Sequence, residues 1–316
     1  MAERVVLTAG ETMLRLLGPA HTRLRHADQM QLGMAGAETN FATALSRLGH
    51  HVRWMSRLGA DEAGALIRGR LAAEGIDLSA VKEMSTAPTG LMLREQAPGM
   101  QNVYYYRDRS AASHLCADDA RQSLLEGVGW VHLTGITPAL SDSAAEFCAA
   151  LIQLAGEKQV PVSLDVNYRA RLWSPHSARD WVEQQLPRID VLMFSKEEGE
   201  SLWGKVDEPL MRSLAEAGPR HVVRKGDGDY SVALVQGGFH KVGLYSVDAI
   251  DTIGAGDAFA AGYLDAVLAG RKPDEALNAG NAMGALCVMG LGDYESLPIS
   301  RSALEQFMAG VQTLGR

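Results

Sequence analysis

The sequence holds only three cysteines, Cys116, Cys148 and Cys287, odd in number, far apart and without a CxxC pair. A disulfide framework or a zinc site is therefore not expected, and a reducing compartment fits. No run of about 18 uncharged apolar residues occurs, which argues against a membrane span. Residues 1–10 lack the basic stretch and long apolar segment of a signal peptide. Positive charge is also scarce: 30 Lys and Arg against 38 Asp and Glu leave a net charge of −8. That balance offers no electrostatic footprint for nucleic acid, and the short basic group Arg23, Arg25 and His26 reads as a solvated face. Repeats, low-complexity tracts and linkers are absent from the sequence. These absences suggest a soluble cytoplasmic protein with no nucleic-acid or membrane partner, and leave its chemistry open.

Hydrophobic residues at 47% and charged residues at 22% are an ordinary globular balance, and 316 residues suit one α/β domain. Short apolar runs at 5–9, 130–134, 161–166, 191–194, 221–224 and 231–235 predict buried strands, with longer amphipathic segments between them. Phe41, Ala44, Leu45 and Leu48 fall at i, i+3, i+4 and i+7 of a helix over about 40–48, with Gly49 where a C-terminal cap belongs. A second helix starts at the N-cap Asp61 and ends near Gly75. A third follows Asp257, with Phe259, Tyr263, Leu264, Val267 and Leu268 on one side. This alternation implies a mostly parallel sheet covered on both faces, the α/β class. Segments 13–34 and 90–107 break the pattern. Their mixed faces predict a small antiparallel flap that could cover a ligand and exclude water, or else an edge extension of the sheet.

The most informative stretch is Asp251-Thr252-Ile253-Gly254-Ala255-Gly256-Asp257-Ala258-Phe259. Small residues directly before a helix let a ligand approach the backbone, and the first helical N–H groups and the dipole favour an anion there. The phosphate loop GxxxxGK[ST] is absent. Asp257 stands beside the anion site, as a phosphoryl-transfer enzyme requires of the group that takes the acceptor's proton. The helix dipole should keep it ionised and weakly basic. A plain helix N-cap is the ordinary reading of the same residue. Lys225-Gly226-Asp227-Gly228-Asp229 is a second glycine-rich turn, which either lines a nucleotide or closes a hairpin, the local pattern favouring the hairpin.

At this point the sequence resembles a known family. DTIGAGDAFAAG, Asp251 to Gly262, is similar to the C-terminal signature of the ribokinase-like, PfkB-type sugar kinases. Ala35-Gly36-Ala37-Glu38-Thr39-Asn40, ahead of a helix ending in RLG, resembles their N-terminal signature, and the likeness runs from Gly10-Glu11 to Gly292-Asp293. Within the family the chain is most similar to the 2-keto-3-deoxygluconate kinases. The likeness is carried by Tyr104-Tyr105-Tyr106-Arg107 with Ser110-Ala111-Ala112-Ser113, by His132-Leu133-Thr134-Gly135-Ile136-Thr137, and by Asp165-Val166-Asn167-Tyr168-Arg169 with Leu172-Trp173. The resemblance implies a three-layer α/β/α sandwich with a small β-sheet lid, ATP and Mg²⁺ as cofactors, and a homo-oligomer. It implies phosphorylation of the sugar acid's terminal hydroxyl to the 6-phosphate.

The resemblance also implies a site. Gly254, Ala255 and Gly256 would form the anion site, with Asp257 as the base. Gly36, Asn40, Tyr105, Tyr106, Arg107, Ile136, Arg169, Asp257 and Asp293 would meet the sugar acid. Asn167, Ser195, Lys225, Gly226, Gly228 and Asn281 would meet the nucleotide, with the segment from Lys225 to Ser231 lining adenosine. Glu198 would serve Mg²⁺, largely through water. Two arginines suit a carboxylate substrate, because a guanidinium reads a carboxylate through a planar fork. Strand alternation puts Tyr105 and Arg107 on one face and turns Tyr104 and Tyr106 toward packing. Simpler roles compete: an exposed strand charge for Arg107, a surface ion pair for Arg169, core packing for Ile136, an inter-helix amide for Asn281 and a turn residue for Asp293. Ala35 replaces a usual glycine and is strained if a positive φ is needed there, and Met92 replaces a usual tyrosine and cannot donate a hydroxyl bond. A kinase for a neutral ketose such as fructose gives no reason to place two cations near the sugar. A dinucleotide oxidoreductase needs a GxGxxG that the end of the first strand, Ala9-Gly10-Glu11-Thr12, lacks. A non-catalytic nucleotide-binding module has no need of Asp257.

Overall fold

The computed structural model describes residues 5–97, 99–227 and 229–310. Its strands are β1 (Val5–Ala9), β2 (Met13–Leu17), β3 (Gln31–Ala35), β4 (Val52–Met55), β5 (Arg57–Gly59), β6 (Lys82–Met84), β7 (Leu91–Ala97), β8 (Met100–Tyr106), β9 (Val128–Thr134), β10 (Val162–Asp165), β11 (Val191–Phe194), β12 (His221–Asp227), β13 (Tyr230–Val235) and β14 (Gly238–Gly243). Its α-helices are α1 (Ala37–Arg47), α2 (Glu62–Ala73), α3 (Asp142–Glu157), α4 (Pro175–Gln185), α5 (Lys196–Trp203), α6 (Glu208–Glu216), α7 (Ala255–Leu268), α8 (Pro273–Val288) and α9 (Arg301–Met308).

The main sheet runs in the order β14-β13-β12-β11-β10-β9-β1-β4. It is parallel from β4 to β12 and antiparallel over β13 and β14. All four residues of β11 are buried, which is why such strands read as unbroken apolar runs. On one face α1, α2, α7, α8 and α9 pack around Phe41, Leu45, Trp54, Phe259 and Met283. On the other, α3 to α6 pack around Phe147, Leu151, Val182, Leu202 and Leu214. This is the expected three-layer α/β/α sandwich. Edge strands β4 and β14 were not among the expected ones. The first is interrupted by the half-buried Arg53, and the second has no fully buried residue, so neither makes an apolar run. No helix of the described residues is long and apolar enough to cross a membrane.

The two irregular segments form a separate sheet, β3-β2-β7-β8. Its outer pairs are antiparallel, but β2 and β7 pair in parallel, from Leu14↔Leu91 to Leu17↔Arg94, so the flap is mixed rather than antiparallel. Parallel pairing is possible because the chain between β2 and β7 passes through α1, β4 and α2, long enough for a crossover. Two buried ion pairs tie this sheet to the chain around α7. Arg94 on β7 grips Asp251 with 2.5 Å on each limb, and Arg15 on β2 donates to Asp293 at 2.8 Å. Tyr104 and Tyr106 do not turn toward packing as expected. They are 43% and 61% exposed, because nothing among the described residues covers the outer face of β8.

Local expectations at the helix ends fare differently. Gly49 takes φ +93° just past α1, and the Asp61 carboxylate accepts from the Gly64 amide at 2.8 Å at the start of α2. Helix α7 begins three residues earlier than expected, so Asp257 lies inside its first turn and does not cap it. Ala35 is unstrained: it pairs with Met13 in β3 and is not at a positive φ. The neighbouring Gly36 is the position that needs a glycine. A Cβ there would stand 2.6 Å from the Glu11 carbonyl oxygen and 2.7 Å from Thr12 Oγ1.

Candidate active site

Parallel strands deliver their C-terminal ends to one edge of the sheet, where loops to the next helix converge. At this edge lie Glu11 after β1, Ile136 after β9, Asp165 and Asn167 at the end of β10, Ser195 after β11 and Lys225 late in β12. Helix α7 points its N-terminus at the same place. Gly254 precedes it at φ +84°, and a Cβ there would meet the Asp293 carbonyl oxygen at 2.1 Å, so only glycine fits this turn.

Asp257 is the third residue of α7 and is buried. Its carboxylate oxygens accept from Asn40 Nδ2 at 2.8 Å and from Asn167 Nδ2 at 3.1 Å. Asn167 holds this pose at φ +39°, a left-handed conformation that asparagine tolerates better than most residues. Burial pushes the Asp257 carboxyl up to about 6, against the Asn40 bond and the cations Lys225 and Arg169, which pull it down. The carboxyl is therefore raised where the helix dipole alone would lower it, because burial removes the water that favours its charged form.

Two cavities meet at the Gly254–Asp257 turn. The larger, about 790 Å³, is lined by Gly36, Asn40, Tyr105, Arg107, Ile136 and Arg169, and by Gly254, Asp257 and Asp293. Tyr106 is not among its lining residues, because alternation along β8 gives that side to Tyr105. Met92, packed against Met13, Ala35 and Val103, adds an apolar wall. Arg107 is neither an exposed strand charge nor a free clamp. It pairs with Glu11, whose other oxygen accepts from Ser110 Oγ. Arg169 is exposed, donates to the Tyr168 carbonyl at 3.3 Å, and has no carboxylate within ion-pair distance among the described residues. Asp293 is not a plain turn residue: one oxygen is held by Arg15, while burial pushes its carboxyl up to about 6.

The smaller cavity, about 210 Å³, lies across Ala255 and Gly256. Leu244, Tyr245, Val247, Phe259, Ala285 and Val288 give it apolar walls, with Lys225, Gly226 and Asn281 at its edge. Asn281 Nδ2 donates to the Gly243 carbonyl at 3.0 Å, and its buried Oδ1 has no donor among the described residues. Ser195 and Glu198 cap α5 reciprocally, at 2.7 and 3.1 Å, which fixes the Glu198 carboxylate at the rim of the site. Lys225 borders this cavity, and its ammonium is held on one side of it. Its ammonium donates to both oxygens of Asp165, because the buried cation needs a counter-charge that apolar walls do not provide. The expected Gly228 lies outside the described residues.

Two cavities joined by an amide turn and a raised carboxyl match the layout that phosphoryl transfer requires. Residues 4–300 match the pfkB family carbohydrate kinase. The chain belongs to this family. Among relatives of this carbohydrate kinase, the 2-dehydro-3-deoxygluconokinase of Bacillus subtilis is 33% identical over 98% of this chain and 96% of its own. The 2-dehydro-3-deoxygalactonokinase of Haloferax volcanii is 34% identical, over 89% and 90%. The crystal structure of a 2-dehydro-3-deoxygluconokinase from Thermotoga maritima superposes with TM-score 0.87 at 26% identity, covering 97% of this chain and 100% of that one.

Several groups of this kinase escaped sequence reasoning. Glu11 and Asp165 sat inside matched segments without a role, yet they hold Arg107 and Lys225. The Asp-x-Asn spacing at the end of a predicted strand was the available signal for Asp165. Glu38 is fully buried and accepts from Thr134 and Thr137 at 2.7 and 2.6 Å. No spacing in the chain announces contacts about 96 to 99 residues away.

Proposed function

We propose that this carbohydrate kinase transfers the γ-phosphoryl group of ATP to the terminal hydroxyl of 2-keto-3-deoxygluconate, giving 2-keto-3-deoxy-6-phosphogluconate. The observation that carries the reading is Asp257, a buried carboxyl raised to about 6 at the junction of the acceptor cavity and the amide turn. The 2-keto-3-deoxy acid is supported by the names of the relatives, since 2-dehydro and 2-keto denote the same group. It is supported independently by Arg169, an arginine of the acceptor cavity with no carboxylate within ion-pair distance among the described residues. A neutral ketose offers no carboxylate for that guanidinium to grip.

In this reading the sugar acid lies in the larger cavity, its carboxylate toward Arg169 and Arg107 and its far hydroxyl toward Asp257. The hydroxyl oxygen attacks the γ-phosphorus in line, and its proton passes to Asp257. The bond from γ-phosphorus to the bridging oxygen breaks, and its electron pair leaves on ADP. Amides at the start of α7 stabilise charge on the phosphoryl oxygens. Asn40 and Asn167 hold Asp257 in place through both oxygens. The smaller cavity suits adenosine, with the unpaired Asn281 Oδ1 ready to accept a bond. Bound Mg²⁺ supplies charge neutralisation on the phosphates, and kinase sites hold it with one or two carboxylates plus water and phosphate. Asp165 and Glu198 match that donor set.

Two coarser expectations belong to the same reading. A cytoplasmic location suits ATP use and three free thiols. A homo-oligomer is supported by the exposed Leu32 and Tyr106 on the outer strands of the second sheet, and light scattering reads it directly.

The test is an ATP-dependent phosphorylation assay with Mg²⁺ on 2-keto-3-deoxygluconate, its galactonate epimer, gluconate, fructose and ribose. Strong preference for the 2-keto-3-deoxy acids is expected. Preference for fructose or ribose would remove the role given to the arginines, and no turnover on any acceptor would remove the substrate assignment.

A further inference from the structure

Lys225 is a buried ammonium beside the turn that opens α7. Its Nζ donates to both oxygens of Asp165, at 2.7 and 2.8 Å, and stands 3.9 Å from Glu198 Oε2. Asp165 closes β10 and Lys225 belongs to β12, so the pair reaches across β11 at the edge of the sheet. A Cβ built on Gly256 would stand 3.1 Å from Nζ. The ammonium therefore lies against the turn whose amides, at the first turn of α7, have no acceptor inside the helix. It also borders the smaller cavity.

A buried ion pair is a weak source of stability, because desolvation of both charges offsets most of their attraction. An apolar pair would hold β10 and β12 together as well. The placement makes more sense as function. Three carboxylates, Asp165, Glu198 and Asp257, act on this one ammonium. A lysine is a compact charge on a flexible four-carbon stem, able to pivot from a carboxylate to a phosphate oxygen a short distance away.

Building on the kinase reading above, we propose that Lys225 is a catalytic residue whose ammonium contacts the terminal phosphate of the nucleotide, and that Asp165 is the positioning residue that aims it. The ammonium and the α7 amides then grip one anion from two sides. As the ammonium moves to phosphate, the carboxylates of Asp165 and Glu198 become available to a hydrated divalent cation.

The experiment is calorimetric binding of ATP, ADP and AMP to the full chain with Mg²⁺ and no sugar, for the wild type, Lys225→Met and Lys225→Arg. Lys225→Met is expected to weaken ATP about 10- to 100-fold, the range of a charge-assisted bond, while AMP changes less than twofold. Lys225→Arg should fall between. A Lys225→Met protein that keeps the wild-type ratio of ATP to AMP affinity overturns the proposal. If that variant does not fold, the double variant Lys225→Met/Asp165→Leu removes both charges and gives the same readout. If neither folds, Lys225 is structural and the proposal is equally overturned. A wild type that binds ATP no better than AMP sinks the kinase reading instead, so the two failures are distinguishable.

Discussion

Arg94 and Asp251 form a buried bidentate ion pair, 2.5 Å on each limb, between the second sheet and the loop that leads into α7. Asp251 also accepts from the amides of Gly292 and Ile253, at 3.0 and 3.2 Å. One carboxylate thus gathers the covering sheet, the anion turn and the segment bearing Asp293. The arrangement ties the second sheet to both segments that flank the Gly254–Asp257 turn.

Arg94→Met leaves that carboxylate buried without its cation, so a loss of about 3–5 kcal/mol is expected at pH 7. In the native protein burial pushes the Asp251 carboxyl up, but Arg94 and the two amides override it and hold it below the usual aspartate value. The stability this contributes is present above the unfolded pKa of about 3.9 and is lost as pH falls through the lower folded value. In the variant, acid instead neutralises an unpaired charge. The gap between the two urea midpoints should therefore shrink from pH 7 to pH 4, and a gap that stays constant would speak against an ionic origin.

Asp257 must be deprotonated to accept a proton. With its carboxyl near 6, kcat/KM should fall tenfold per pH unit below about 6. Asp257→Asn should lower kcat by orders of magnitude and leave the substrate KM little changed. Near-normal turnover in that variant would remove the base assignment.

The same burial costs stability. A folded pKa above the unfolded one penalises the charged native state above about pH 6, and the penalty vanishes below about pH 4. Asp257→Asn should therefore unfold at higher urea than the wild type at pH 8, by up to about 3 kcal/mol, and at equal urea in acid. A variant less stable at pH 8 would show that the Asn40 and Asn167 bonds outweigh the desolvation.

Arg169→Ala should raise the KM for the sugar acid about 10- to 100-fold, the worth of a charge-assisted bond, and spare the KM for ATP. Arg107→Ala should act in the same direction, but less cleanly, because it also strands Glu11. Unchanged KM in both variants would end the idea of a carboxylate clamp.

Gly254→Ala should abolish most turnover while circular dichroism stays native. The backbone there is at φ +84°, and the new methyl would meet the Asp293 carbonyl at 2.1 Å. The amide turn must move to relieve that contact, and wild-type kcat in this variant would mean that the turn does not position the phosphate.

The layered fold and the turn at Gly254–Asp257 were legible in the chain because their causes are local. Apolar runs mark strands buried on both faces, the spacing of Phe41, Ala44, Leu45 and Leu48 marks a helix, and small residues before a helix mark an anion site. Family likeness supplied a set of site residues, most of which line the two cavities. Tertiary structure alone decided what those residues are free to do. The Lys225 ammonium is held by Asp165, 60 positions away, and Arg107 is engaged by Glu11. The Asp257 carboxyl is raised because water is excluded around it. Charge pairing and desolvation depend on distance in space, and a linear sequence carries no record of which distant groups will share a low-dielectric site.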